Sequence, residues 1–98
     1  MVLELSLGAT GCTVEGCATS LSANIVAELR GTDLPDEIVL IGGHIDSWDV
    51  GQGAVDDGSG AFAAWGALKL LAQLGLRARR TVRVVFWNGE EARNNCDK

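Results

Sequence analysis

Apolar and polar positions along the chain divide it into a short series of elements. Val2 to Leu7 alternates, with Leu3, Leu5 and Leu7 on one face and Glu4 and Ser6 on the other, which predicts an edge strand. Gly8 to Ser22 is rich in Gly, Ser, Thr and Ala and reads as a loop. Ile25 to Leu29 alternates again, as a half-buried strand does. Gly31 to Asp36 (GTDLPD) contains the sole proline and reads as a turn. Ile38 to Ile41 (IVLI) is continuously apolar, which predicts a strand covered on both faces. The turn between these strands is short, so an antiparallel hairpin is expected.

Ala61 to Leu74 (AFAAWGALKLLAQL) is long enough, and rich enough in helix formers, to be a helix. Asp56, Asp57 and Ser59 stand where an N-cap belongs, and Gly75 where a C-cap glycine does. Its polar side chains, Lys69 and Gln73, make only a narrow stripe, so the helix is shaped to sit inside something larger. Thr81 to Trp87 (TVRVVFW) is a further strand. Strand, helix, strand at this spacing predicts a βαβ unit with a parallel pair and a right-handed crossover. The expected fold class is therefore α/β: a three-layer fragment with an antiparallel hairpin leading into a βαβ unit of a mixed sheet.

Composition adds constraints. A chain of 98 residues holds at most one domain, and 47% hydrophobic with 21% charged residues argues for a globular chain over a disordered one. The formal charge is 8 − 13 = −5, and removing Asp46, Asp49, Asp56, Asp57, Glu90 and Glu91 leaves 8 − 7 = +1. The acidic excess thus lies in two short segments; it suits divalent cations and repels nucleic-acid phosphate. Cys12, Cys17 and Cys96 lack the spacing of a zinc site and read as incidental thiols. Glu4 interrupts the first apolar stretch, so no signal peptide is recognisable, and no run approaches the length of a membrane span.

Those two segments carry the candidate chemistry. Residues 42–60 read GGHIDSWDVGQGAVDDGSG and follow the IVLI strand; Glu90–Glu91 follows the last one. Sites on parallel α/β sheets form beyond the carboxyl ends of the strands, so His44, Asp56, Asp57, Glu90 and Glu91 should converge at one sheet edge. Imidazole and carboxylate suit zinc, and a carboxylate can bridge two metals. One glutamate of the pair can ligate while the other takes a proton from the attacking water. Asp46, two residues past His44, can orient the imidazole. Each signal alone has a plainer explanation. A lone histidine is usually no ligand, paired acids after a strand usually start a solvated helix, and GQG and DGSG are turn chemistry. Trp48, Trp65 and Trp87 read first as packing residues. The convergence of several signals on one edge favours a site.

From Asn24 to Glu91 the chain also resembles the co-catalytic zinc exopeptidases of the aminopeptidase and glutamate-carboxypeptidase family. NIVAELRG, IVLIGGHIDSWDVGQGAVDDGSGAF, LGLRARRTVRVVFW and the glutamate pair carry the likeness. It implies a zinc-dependent exopeptidase of dipeptidase or carboxypeptidase type. In that pattern His44 and Glu91 are ligands of separate zinc ions, Asp56 bridges them, Glu90 is the general base and Asp46 orients His44. It implies a small peptide substrate, no nucleic-acid or membrane partner, a secreted or lysosomal setting, and leaves homodimerisation of full-length relatives open.

The departures are specific. The family uses a further aspartate and histidine downstream, whereas His44 is the sole histidine here and the sequence given ends at Lys98. Asn88–Gly89 stands where Thr-Ala is common, Gly66 where near relatives have glutamate, and ARNNCDK matches no pattern. The expected organisation is a poorly matched segment over 1–23, a partial catalytic domain over 24–91 and a divergent tail over 92–98. With two ligands lacking, the isolated chain is expected to be inactive. The competing readings are a non-catalytic truncated product acting as an interaction fragment, and a flavodoxin-like binding module, for which no phosphate loop is present.

Overall fold

A computed structural model of the chain describes residues 2–10 and 20–91, with side-chain environments from residue 23 onward. The elements are β1 (Val2–Thr10), β2 (Ser20–Leu29), β3 (Leu34–His44), an irregular helical turn over Ala54–Ser59, α1 (Gly60–Gln73) and β4 (Arg80–Trp87). They form one mixed four-stranded sheet of order β1-β2-β4-β3, with β1–β2 and β2–β4 antiparallel and β3–β4 parallel. The α/β class, the mixed sheet and the βαβ unit stand as expected. Among the described residues α1 is the single helix packed on the sheet, so two of the three expected layers are present.

The hairpin is corrected. β2 and β3 run in opposite directions, as expected, but do not pair, because β4 lies between them. The sequence of β4 explains its central place: Val84 and Val85 are buried, whereas Ile38, Val39 and Leu40 of β3 are each about half exposed. Among the described residues the IVLI run is therefore an edge strand, not one covered on both faces. The connection is held to the segment entering β4: Thr32 N–H donates to the Ala78 carbonyl (3.0 Å) and Leu34 N–H to that of Arg79 (2.9 Å). Buried Thr81 fastens it further, accepting from Gly31 N–H (3.0 Å) and donating to the Pro35 carbonyl (2.7 Å).

β1 is an edge strand as predicted, but it extends through Thr10, and β2 begins at Ser20, so both strands reach into the stretch read as a loop. The rest of that stretch, residues 11–19, lies outside the described residues, as does the tail beyond residue 91.

The core lies between α1 and the two central strands. Leu68 is fully buried against Ala27, Leu29 and Val84, flanked by Ile41, Trp65, Leu71 and Phe86. Phe62, Leu70 and Leu74 remain exposed, in keeping with a helix built for fuller cover. Its C-terminus closes as the sequence predicts. Gly75 takes φ +66, Gly75 N–H donates to Ala72 (3.2 Å) and Leu76 N–H to Leu71 (2.9 Å), the paired bonds of a Schellman motif. Its N-terminus differs. Ser59 occupies the N-cap position without a capping bond, and its hydroxyl donates to the Val55 carbonyl (2.7 Å).

Candidate metal centre

Parallel pairing of β3 with β4 sets His44 beside Trp87, so both strands finish at the same level. The chain after β3 and the chain after β4 emerge together, and the turn entering α1 sits across them. Gly43 permits that approach. A Cβ there would lie 2.4 Å from Asp57 Oδ2 and 2.7 Å from the Ala61 nitrogen, too close for any side chain.

His44, Asp56 and Glu91 come together: each offers one ligand atom, and the three atoms lie within 4.8 Å of one another. The His44 imidazole is well buried, its Nδ1 3.0 Å from the Asp46 carbonyl and its Nε2 3.0 Å from Asp56 Oδ1. A carbonyl only accepts, so Nδ1 carries a proton and donates. Nε2 then faces a carboxylate oxygen, an arrangement that requires either a second proton or a cation between them. Glu90 Oε2 stands 3.9 Å from the same nitrogen, half exposed, while Glu91 is buried.

Asp46 ties the two segments together. Its carboxylate accepts from Glu90 N–H (3.1 Å) and Glu91 N–H (2.9 Å), and lies 3.5 Å from His44 Nδ1. The bond that fixes the imidazole comes from the Asp46 backbone carbonyl, not from its side chain as the spacing suggested. Asp57, which the sequence placed at the helix start and at the same sheet edge without a specific role, accepts from His44 N–H through Oδ2 (3.2 Å) and so pins the strand end to the turn carrying Asp56. Only the DD doublet hinted at this. Asp49 is exposed and takes no part in the cluster. Asn24 also supports the site, accepting from Asn88 N–H (2.9 Å) below the glutamate pair.

The electrostatics follow from these contacts. Burial depresses the His44 pKa, but the Asp46 carbonyl, the Asp56 carboxylate and the charges of Asp46 and Glu90 outweigh it, leaving the pKa above 6.5. For Asp46, burial acts upward and the amides of Glu91 and Glu90 downward; the amides prevail and its pKa falls. Burial and then the charges of Asp56 and Glu90 raise the Glu91 pKa. Replacing Asp46 by Ala should therefore loosen both segments at once. We expect a loss of about 10–100-fold in zinc affinity, read by competition against a chromophoric chelator.

An α/β sheet that gathers His, Asp and Glu side chains beyond adjacent parallel strands presents a donor set of the kind that can hold a divalent cation. The comparison with known proteins makes this specific: the profile of Peptidase family M28 matches residues 24–95, and the chain belongs to that family. It is 50% identical over 91 residues to carboxypeptidase Q of Xenopus laevis, and equally to that of Homo sapiens, covering 93% of this chain and 18% of each relative. A probable leucine aminopeptidase 2 of Aspergillus oryzae is 41% identical over 68 residues, 69% of this chain and 13% of that protein. Among solved structures, a Peptidase M28 precursor from Shewanella amazonensis superposes with a TM-score of 0.66 at 46% identity, over 70% of this chain and 16% of its own. The chain thus spans about a fifth of the length of the carboxypeptidase Q relatives.

Proposed function

We propose that this chain is the metal-holding and proton-transferring segment of a zinc-dependent exopeptidase of carboxypeptidase or dipeptidase type. The observation carrying this reading is the Nε2–Asp56 contact at 3.0 Å with Glu91 alongside, a donor set that fits a divalent cation. His44, Asp56 and Glu91 would hold the ion. When bound, such an ion polarises the peptide carbonyl and makes water more acidic. Glu90, half exposed beside the cluster, would take the proton from the attacking water and return it to the leaving amine. Asp46 holds the Glu90 and Glu91 amides, and Asp57 holds the His44 strand end.

Three donors leave room for ligands from elsewhere, so the 98-residue chain by itself should bind zinc weakly and hydrolyse peptides negligibly. The direct test is a chimera in which residues 24–91 replace the matching segment of Xenopus carboxypeptidase Q. It should cleave a dipeptide panel in a zinc-dependent manner, and E90Q should lower kcat at least about hundredfold, the scale of general-base catalysis, while retaining zinc. A folded, zinc-loaded chimera without activity would contradict the proposal.

A further inference from the structure

Past Trp87 the chain leaves the sheet, and a short turn must deliver Glu91 to His44 and Asp56. Antiparallel pairing of β2 with β4 runs only as far as Ile25 opposite Phe86. On the other side of β4, Ile45 N–H donates to the Trp87 carbonyl (2.8 Å). Asn88 is thus the first residue beyond the ladder. Its N–H donates to Oδ1 of Asn24 (2.9 Å), 64 positions away in sequence, in a half-buried contact. The carboxamide nitrogen of Asn24 cannot accept, so this contact also fixes which way the carboxamide points. The Asn24 backbone belongs to β2 and pairs with Ser6 of β1, so it is held in the sheet. Here a side chain takes the place that a ladder carbonyl would fill.

The next residue is a pivot. Gly89 has φ +86, a conformation that glycine adopts without steric cost. After it, the Asp46 carboxylate accepts from the N–H groups of Glu90 (3.1 Å) and Glu91 (2.9 Å). The turn is therefore gripped at both ends, by Asn24 before the pivot and by Asp46 after it. The two grips differ in kind: Asp46 lies in the loop that follows β3, whereas Asn24 is anchored on a paired strand. A rotation about Gly89 would shift buried Glu91 against His44 and Asp56. We propose that Asn24 is a positioning residue for Glu91: by holding Asn88 N–H ahead of the glycine pivot, it sets where the Glu91 carboxylate meets His44 and Asp56. This inference rests on the reading of those three residues as metal ligands. Support of a ligand from such a neighbour pre-forms the site and so raises its affinity.

The whole chain tests this. Zinc affinity, read by competition against a chromophoric chelator, should fall about tenfold in N24A and in N24L, which keeps the side-chain volume. N24D keeps an acceptor oxygen at the same position and should retain wild-type affinity. Without metal, hydrogen exchange at the Asn88 amide should quicken in N24A and N24L and not in N24D. In an E91Q background, N24A should change affinity by no more than about twofold, because Asn24 acts through Glu91. A role in folding alone would weaken both backgrounds equally. Unchanged affinity or exchange in N24A and N24L, an equal loss with and without E91Q, or N24D as weak as N24A would each overturn the proposal. A chain whose zinc affinity E91Q alone leaves unchanged would strike the ligand assignment itself, and the proposal with it.

Discussion

Replacing His44 by Ala is expected to lower the zinc affinity of the chain at least about hundredfold, more than the loss of a supporting contact causes. His44 is the sole imidazole in the sequence and the one nitrogen donor of the cluster. It is held from three sides. Asp57 anchors its backbone N–H (3.2 Å), the Asp46 carbonyl fixes Nδ1 (3.0 Å), and Asp56 meets Nε2 (3.0 Å). This preorganisation means that little ordering remains for an ion to impose. Without the ring, the exposed Asp56 carboxylate and the buried Glu91 carboxylate remain, and a carboxylate pair binds zinc weakly in water. Asp49→Ala is the matched control, since that carboxylate lies in the same acidic segment but outside the cluster, and should leave affinity unchanged. Competition titration against a chromophoric chelator reads both variants. Equal losses from both would mean that general negative charge, not this geometry, attracts the ion.

The second large effect is on pH. In the metal-free chain the imidazole donates at Nδ1 to the Asp46 carbonyl and, when protonated, at Nε2 to Asp56. Its pKa is raised above 6.5, so the proton on the ligand nitrogen is held to higher pH than on a free imidazole. An ion must displace it. Zinc affinity should therefore rise about tenfold per pH unit below the raised His44 pKa and level off above it. Glu91, whose pKa is also raised from 4.5, adds a second proton to displace at the acid end. Stability of the metal-free chain runs the other way. A raised histidine pKa contributes stability that is complete below 6.5 and lost as pH rises through the folded value. The raised Glu91 pKa acts in the same direction at lower pH. Only Asp46, with its pKa lowered from 3.8, contributes stability above that value and loses it in acid. Thermal melts with and without zinc across the neutral range should show protection by the ion growing with pH. Protection that is constant or declines with pH would contradict the assigned proton positions.

Much of this arrangement was legible in the residues. The apolar runs marked the strands, Gly75 marked the helix end, and the βαβ spacing put His44 and Glu90–Glu91 at one sheet edge. Periodicity reports which residues are apolar but not which strands are neighbours. The Gly31–Asp36 turn therefore suggested a hairpin, although β4 lies between β2 and β3. The continuity of IVLI suggested a central strand for the same reason; its apolar character shows a demand for cover, which the described residues do not meet. Asp46 and Asp57 were visible as acids, but their partners lie far along the chain or are backbone groups. Nothing in H-I-D indicates that the Asp46 carboxylate caps amides 44 and 45 positions away. The division of labour in DDGSG is equally hidden: Asp56 reaches the imidazole, and its neighbour Asp57 holds the backbone.

The central claim is that His44, Asp56 and Glu91 together hold a single divalent ion in this chain. Zinc K-edge X-ray absorption on the stoichiometrically loaded protein tests it most directly, since Cys12, Cys17 and Cys96 offer a rival set of ligands. The predicted spectrum has a light-atom shell at about 2.0–2.1 Å containing one imidazole, and it loses the imidazole signature in His44→Ala. A sulfur shell near 2.3 Å, or an unchanged spectrum in that variant, would contradict the claim.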